Sequence, residues 1–295
     1  MKSPSTFHSI AFKLFCVISV SLMVVACGDD EPDIVNALPD ASEILPITSG
    51  GWYKPGVSAT WQWQIQGETI NTSYDVEIYD IDPLSPDLSD AQSLINQLHN
   101  DGRKVICYFS AGSYESWRND AADFQEADLG NTMDGYANER WLDVRSENVH
   151  NIMKARLSAF KTLGCDGVEP DNVNIFENDS GKPITAEVQL AYNRWLANEA
   201  HKQGLSVGLK NDNDQAADLV DYFDFHVSEE CHEFDECEAL AVFVNDNKPV
   251  LNAEYLADYK TPSGQTTLCA KATQENIRTV VFSKELDDSY RYSCD

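Results

Sequence analysis

Basic residues are scarce in this sequence. Its 295 residues include 21 Lys and Arg against 49 Asp and Glu, which gives a formal net charge of −28. Nucleic-acid binding needs a basic face that neutralises phosphates, so the composition excludes a nucleic-acid partner. A cationic partner suits this charge better, and the alternative is that the acidity serves only solubility.

Several catalytic and ligand-binding motifs are missing as well. The sequence contains no tandem repeat, no GxGxxG after its first predicted strand, no GxSxG, no HExxH and no Walker motif. These absences argue against a repeat protein, a nucleotide-binding sheet, a serine hydrolase, a zinc peptidase and a P-loop enzyme. The run of Asn and Asp over 211–214 lacks the glycine and the closing glutamate of a calcium loop. We therefore predict neither a metal nor a cofactor.

The first 26 residues have the pattern of an export signal. An apolar run over 14–26 follows a short polar region with two lysines, and it is too short for a membrane span of about 20 residues. It ends in VVAC at 24–27, which resembles a bacterial lipobox. We expect cleavage before Cys27, lipidation of its thiol and anchoring to the cell envelope, with Gly28 favouring the outer membrane. The alternative is an ordinary signal peptide followed by a chance cysteine.

The segment after the signal differs in composition from the rest of the chain. Residues 27–47 begin with Cys27 and are rich in Asp, Glu, Pro and small side chains, which is typical of a flexible acidic tether. We expect a single folded domain over 48–295.

Export to an oxidising compartment makes cysteine pairs candidate disulfides. Cys231 and Cys237 are close enough to close a small loop, and Cys294 is placed to join Cys269. The state of the two other cysteines of the domain, at 107 and 165, stays open. A zinc site is the competing interpretation, which the absence of a CxxC pair disfavours.

Short apolar runs alternate with helix-length amphipathic stretches along the domain. Ser85 is placed as the N-cap of the first helix, and Thr185 as that of a helix ending near 203. Eight strands alternating with helices predict a single (β/α)8 TIM barrel, and a doubly wound open sheet is the alternative. The stretch after the third strand, 110–161, exceeds a normal connection and predicts an enlarged loop region. The predicted strands are 60–65, 75–80, 104–109, 165–169, 205–210, 223–228, 249–254 and 279–283.

Carboxylates follow most of these strands. Active sites of barrels lie at the carboxyl ends of the strands, so these side chains are expected to converge, although turns favour Asp in any case. Two carboxylates without Cys or His ligands suit glycoside hydrolysis, in which one acid protonates the leaving oxygen and the other attacks or activates water. Aromatic residues near the same strand ends are candidates for stacking on sugar rings, or for ordinary packing: Tyr79, Tyr108, Tyr114, Trp117 and Tyr255.

Four strings in the domain carry a family resemblance. KVICYFSAGSYESWR at 104–118, WLDVR at 141–145, GCDGVEPDNVN at 164–174 and GLSVGLKND at 204–212 resemble glycoside hydrolase family 114. The run from Phe223 to Cys237 continues the likeness, which spans nearly the whole domain. The resemblance implies a (β/α)8 barrel that acts as an endo-α-1,4-polygalactosaminidase, hence on a cationic polymer of galactosamine.

The resemblance also implies the site residues. Asp171 matches the carboxylate of the family's fourth strand, and Glu229 matches the glutamate of its sixth, where Glu230 departs from the family's usual glutamine. By analogy with other α-glycosidase barrels, Asp171 is expected to be the nucleophile and Glu229 the general acid/base of a retaining mechanism, with inversion left open. The Cys231–Cys237 and Cys269–Cys294 pairs match family positions. The expected substrate contacts are Asp82, Tyr108, Glu169, Lys210, Asp212 and Glu254, and Glu169 has the alternative role of holding Asp171.

The expected partner is therefore a cationic amino-sugar polysaccharide. The protein is expected to be a monomer that meets the membrane only through its lipid anchor. Two alternatives remain open: a surface lipoprotein that binds such a polymer without cutting it, and a hydrolase of another α-linked amino-sugar polymer.

Overall fold

The computed structural model describes residues 35–295. The predicted signal peptide and the lipidation site at Cys27 lie outside the described residues, as does the first part of the predicted tether. Among the residues that the structure describes, no helix is both long and apolar enough to cross a membrane.

Twelve strands and six α-helices make up the regular structure of residues 35–295. The strands are β1 (Trp61–Gln64), β2 (Ile78–Ile81), β3 (Lys104–Ser110), β4 (Ser113–Glu115), β5 (Leu129–Met133), β6 (Tyr136–Leu142), β7 (Gly167–Asp171), β8 (Ser206–Lys210), β9 (Phe225–Glu229), β10 (Val250–Glu254), β11 (Arg278–Phe282) and β12 (Arg291–Ser293). The helices are α1 (Ala91–Asn100), α2 (Glu147–Leu163), α3 (Ala186–Lys202), α4 (Ala216–Leu219), α5 (Ala241–Asn245) and α6 (Pro262–Glu275).

Nine of these strands form one curled sheet in the order β1-β2-β3-β7-β8-β9-β10-β11-β12. The first eight in this order are parallel and follow the chain, which confirms the eight predicted strands. β12 is antiparallel to β11. The curl brings the two ends of the sheet together, since Trp61 Nε1 donates to the Arg278 carbonyl at 3.1 Å. The fold is TIM-barrel-like, as predicted.

Side chains alternate between two apolar layers along each strand. Phe225 and Val227 of β9 point into the curl with Trp63, whereas Val207 and Leu209 of β8 pack on the outer side against the helices. This period of two decides which strand residues can reach the interior. Polar side chains in phase with the inner layer therefore meet where the strands end.

The enlarged region after β3 is a separate three-stranded antiparallel sheet in the order β4-β6-β5. We call this β4–β6–β5 sheet the inserted sheet. It occupies 113–142, and α2 then starts at Glu147, so the predicted enlargement after the third strand is confirmed.

The first predicted helix boundary is wrong, and the next is right. α1 starts after Asp90, whose carboxylate accepts from Ser93 N at 2.9 Å, rather than after Ser85. Residues 82–89 form turns, because the amides of Ser85 and Leu88 bond to carbonyls three residues earlier. Thr185 caps α3 as predicted.

The predicted tether extends too far toward the domain. Asn198 of α3 accepts from Ile47 N at 2.9 Å and donates to the Leu45 carbonyl at 2.8 Å. Arg194 donates to the Ala41 carbonyl at 2.8 Å. These bonds attach residues 41–47 to α3, so the folded domain begins before residue 48.

Three disulfides lie in the described chain. Cys231–Cys237 and Cys269–Cys294 are present, as expected. The third joins Cys107 of β3 to Cys165, just before the neighbouring strand β7, across 58 positions of sequence.

Candidate active site

A cleft of about 1570 Å³ opens where the parallel strands end. Fifteen of the residues that line it are Asp or Glu and three are Lys or Arg, so the cleft is strongly acidic. Such walls raise the local concentration of cations and disfavour anionic ligands. Asp171 and Glu229 both line this cleft, as does Lys210.

Lys210 occupies the centre of the site. It ends β8, is only 3% exposed, and its Nζ lies 3.0 Å from Asp171 Oδ1 and 3.0 Å from Glu229 Oε2. Since both oxygens contact the same nitrogen, they can be no farther apart than twice that distance. The structure therefore brings the two predicted catalytic carboxylates together around one buried cation.

Asp171 accepts hydrogen bonds at both its carboxylate and its backbone carbonyl. Tyr108 OH donates to Asp171 Oδ2 at 2.9 Å, and the Asn172 amide donates to Oδ1 at 2.8 Å. The backbone carbonyl of Asp171 accepts from the amides of Ala111 and Gly112. A Cβ on Gly112 would lie 1.6 Å from the Asn172 carbonyl oxygen, so this approach of β3 to β7 requires glycine.

Glu229 accepts hydrogen bonds from three different side chains. Tyr255 OH donates to its Oε1 at 2.7 Å, and Asn211 Nδ2 donates to its Oε2 at 3.2 Å alongside Lys210. Burial alone would raise the pKa of Glu229, but Lys210, Tyr255 and Asn211 outweigh it and lower that pKa. The free protein thus holds Glu229 ionised at neutral pH.

The backbone turns sharply just after the catalytic strands. Asn172, Asn211, Asp212 and Glu230 each have φ between 49° and 60°, in the left-handed region. Asn172, Asn211 and Glu230 are the first residues after β7, β8 and β9, and Asp212 is the second residue after β8. Strained backbone of this kind persists where surrounding contacts fix it, and it is concentrated at functional sites.

Two further carboxyl groups lie beneath Lys210. Glu169 and Asp80 are fully buried, and no hydrogen-bond donor reaches any of their four oxygens. Lys210 Nζ is 3.6 Å from Glu169 Oε1. Burial raises the pKa of Glu169 to about 8 and that of Asp80 well above its usual range, and repulsion from Glu169 raises the pKa of Asp80 further. Glu169 is therefore mostly protonated at neutral pH.

The other predicted substrate contacts divide into two groups. Tyr108 and Lys210 line the cleft and bond to Asp171, and Asp82 lines it in a bidentate pair with Arg118, at 2.8 and 3.0 Å. Asp212 also lines the cleft, but Asn193 holds its Oδ2 at 2.8 Å and burial raises its pKa to about 8.

Glu254 and Glu169 do not line the cleft. Glu254 is fully buried and bonds to the amide of His232 at 2.8 Å and to Asn252 at 3.0 Å. Its strand neighbour Ala253 is in the inner layer, so Glu254 points outward, away from the site. The structure contradicts Glu254 as a substrate contact. Glu169 lies below Lys210, which supports its alternative role of holding the catalytic groups.

One group of metal-ligand side chains within residues 35–295 is compact enough for an ion: Cys231, His232 and Cys237. The sulfurs of the two cysteines are joined in a disulfide, so they do not offer thiolates.

The family assignment rests on a match that spans most of the chain. Residues 43–295 match the model of the glycoside-hydrolase family GH114. The chain belongs to GH114. None of the curated proteins compared with this GH114 chain matches it.

Solved structures agree with this assignment. The crystal structure of Aspergillus fumigatus Ega3 in complex with galactosamine is 37% identical, covers 84% of this GH114 chain and 100% of its own, and has a TM-score of 0.78. The glycoside hydrolase domain of PelA from Pseudomonas aeruginosa (14% identity, 79% and 97% covered, TM-score 0.59) shares the fold. The α-galactosidase TtGalA from Thermus thermophilus also shares the fold, with 12% identity, 81% of this chain and 60% of its own covered, and a TM-score of 0.53.

Several residues of the GH114 site were not expected from the sequence as site residues. Asn211 follows Lys210 in the string GLKND, and Asp80 precedes Asp82 by two, so their positions beside strand ends could have indicated them. Arg118 closes the string at 104–118. Glu139, which also lines the cleft, lies in β6 of the inserted sheet, where nothing in the local sequence distinguishes it.

Proposed function

We propose that this GH114 glycosidase is an endo-acting hydrolase of α-1,4-linked galactosamine polymers, with Asp171 as nucleophile and Glu229 as general acid/base. The observation that carries the proposal is the position of both carboxylates on Lys210 Nζ, at 3.0 Å each, in an acidic cleft. An open cleft suits internal cleavage of a polymer. Ega3, the neighbour at 37% identity, was solved with galactosamine, which supports the choice of sugar.

The mechanism has two steps. In the first, Asp171 attacks the anomeric carbon while Glu229 donates a proton to the leaving glycosidic oxygen, which forms a glycosyl ester on Asp171. In the second, Glu229 takes a proton from water, and the water oxygen displaces Asp171. Configuration is retained because inversion occurs twice.

The spacing of the two carboxylates supports retention over inversion. Retaining glycosidases hold their carboxyl groups about 5–5.5 Å apart, and inverting enzymes about 6.5–9.5 Å apart to admit a water. Because Asp171 Oδ1 and Glu229 Oε2 both contact Lys210 Nζ at 3.0 Å, these two oxygens lie close together, which favours the shorter, retaining arrangement.

The roles impose a condition on protonation. Glu229 must carry a proton to act as an acid, yet its pKa is lowered in the free protein. Activity therefore falls as pH rises through the pKa of Glu229, and we expect an acidic optimum.

Substitution of each carboxylate tests the proposal. We expect Asp171→Asn and Glu229→Gln each to reduce kcat on oligogalactosamine at least about 10³-fold, because each removes a group that acts in bond cleavage. Mass spectrometry of the products measures cleavage, and NMR of the first product measures its anomeric configuration. Asp87→Asn, on the exposed rim of the same cleft, is the matched control. Near-normal turnover in either variant removes that residue from the mechanism, and binding without shortened oligomers in the wild type indicates a binding protein instead.

We also propose export and lipid anchoring. The apolar run ending at Cys27 supports them, and the three disulfides of the described residues fit an oxidising compartment. Expression in a bacterium that lipidates such signals, followed by membrane fractionation, tests this. The wild type is expected in membranes and Cys27→Ser in the soluble fraction, and equal partitioning of the two contradicts the anchor.

A further inference from the structure

The inserted sheet forms one wall of the cleft. Glu139 of β6 and Glu115 of β4 are direct cross-strand partners, and both line the cleft. The pairing continues past β4, since the Ser116 amide donates to the Asn138 carbonyl at 3.1 Å. This wall is thus a rigid sheet rather than an irregular loop.

A chain of hydrogen bonds locates Glu139 close to the catalytic carboxylates. Ser113 Oγ donates to Glu139 Oε2 at 2.8 Å and lies 2.6 Å from Ser110 Oγ. Asn172 Nδ2 donates to Ser110 Oγ at 2.9 Å, and the Asn172 amide bonds to Asp171. Glu139 is only half buried, and burial, with repulsion from Glu115 and Asp171, raises its pKa to about 7 against the Ser113 bond. A bound ammonium group favours the ionised carboxylate and lowers that pKa again.

Two exposed aromatic rings lie in the same part of the chain as Glu139 and line the cleft with it. Trp117 is 41% exposed and Tyr136 is 57% exposed, and both line the cleft. Trp117 follows Glu115 by two residues, in a turn closed by the Arg118 amide on the Glu115 carbonyl at 3.2 Å. Large aromatic side chains exposed together beside a catalytic pair are typical of ligand-binding surfaces.

We propose that Glu139, Trp117 and Tyr136 form a subsite for one amino-sugar residue adjacent to the cleaved bond, in which Glu139 binds the free ammonium group. The proposal rests on the proposed hydrolase function. The carbon-bound hydrogens of a pyranose ring pack on the aromatic faces, and an ammonium group gains from both the carboxylate and the electron-rich face of Trp117.

This subsite distinguishes a free amine from an N-acetyl group. An ammonium offers three donors and a positive charge to Glu139. Acetylation leaves one donor, removes the charge and brings a carbonyl oxygen toward a wall of carboxylates. A site built for one hydrogen-bonding group rejects an analogue that leaves its polar atoms unpaired.

The test compares Glu139→Gln, Trp117→Ala and the wild type as full chains. Glutamine keeps the acceptor for Ser113 but lacks the charge, so we expect KM for fully deacetylated oligogalactosamine to rise about 10-fold to 100-fold with little change in kcat. Trp117→Ala should raise KM about 3-fold to 10-fold. Asp134→Asn, on the exposed turn of the same sheet, and Tyr292→Ala, an exposed ring outside the cleft, are the controls.

Partly N-acetylated polymer identifies the recognised sugar. Sequencing of wild-type products by mass spectrometry should show one fixed position beside each cut that is always a free amine, and Glu139→Gln should admit acetylated residues there. An unchanged KM in Glu139→Gln, or an unchanged acetylation pattern, overturns the subsite while leaving the hydrolase proposal intact.

If the wild type cleaves no polymer, the hydrolase proposal fails, and calorimetry still tests the subsite. Oligogalactosamine should bind the wild type and lose about 10-fold or more in affinity with Glu139→Gln. Equal affinities overturn it.

Discussion

At the scale of single residues, the site is organised by one lysine between two layers of carboxyl groups. Lys210 contacts Asp171 and the ionised Glu229 on the cleft side and the protonated Glu169 below. One positive charge cannot balance four carboxylates in a buried site, so the lower pair keeps its proton. This protonation leaves the charge of Lys210 directed at the two groups that face the substrate.

Tyr255→Phe tests the role of Glu229 through its pKa. Loss of the hydroxyl removes a donor that favours the carboxylate, so the pKa of Glu229 rises. Because a general acid works when protonated, the alkaline limb of the kcat/KM profile should move to higher pH, with kcat reduced. The measurement is the pH profile on oligogalactosamine, with Tyr292→Phe as control. Movement of the acidic limb alone would instead identify Glu229 as the nucleophile.

Glu169→Gln tests the buried pair without any substrate. The pKa of Glu169 is raised to about 8, so folding takes up a proton and the wild type loses stability as pH rises from about 4.5 toward 8. Glutamine does not titrate, so the variant lacks this loss. The free energy of unfolding of Glu169→Gln, relative to that of the wild type, should therefore rise by about 1.4 kcal/mol per pH unit over that window. Urea unfolding at pH 5 and pH 8 measures the difference.

The exposed rim variant Glu285→Gln is the control for this comparison, and it should show no such gain. A constant difference between Glu169→Gln and the wild type at both pH values would mean that Glu169 is ionised in the folded protein.

At the scale of elements, the sequence predicts correctly those strands and helix caps that local interactions determine. Each parallel strand is a short buried run, and Thr185 caps α3 because its hydroxyl accepts from the amide three residues on. The start of α1 was wrong because Ser85 and Asp90 both have capping side chains. Tertiary contacts of the turn at 82–89, where Asp82 pairs with Arg118, exclude that turn from the helix.

The same scale explains the error at Glu254. Position at a strand end was taken as sufficient, but phase also matters. Ala253 belongs to the inner layer, so Glu254 points outward, whereas Val227 and Glu229 share the inner phase of β9. Counting by twos from the apolar residues of each strand would have separated these two glutamates.

Other features were beyond local reasoning. The Cys107–Cys165 disulfide joins residues 58 positions apart, and only the adjacency of β3 and β7 makes it possible. Glu139 enters the cleft through the pairing of β6 with β4, which no local pattern predicts. The tether boundary failed because Asn198 and Arg194 of α3 bind residues whose own composition is typical of a linker.

At the scale of the whole molecule, the net negative charge of the chain and the acidic lining of the cleft both favour a cationic substrate. The chain carries a net charge of −28, and carboxylates dominate the cleft lining. A polymer of free amines is therefore drawn both to the protein and to its site, and this attraction acts on encounter and binding more than on the chemical step.

Added salt separates this attraction from the chemistry. Screening shortens the Debye length from about 10 Å at 0.1 M to about 3 Å at 1 M, so KM for deacetylated oligogalactosamine should rise at least about tenfold between about 0.05 and 0.5 M NaCl. kcat should change less than about twofold, because Lys210, which contacts Asp171 and Glu229 at 3.0 Å each, is buried and poorly screened. Steady-state kinetics on a partly N-acetylated oligomer of equal length, which carries fewer ammonium groups, is the control. If KM for both oligomers rises in parallel, salt acts on the protein itself, and the acidity of the cleft does not attract the substrate.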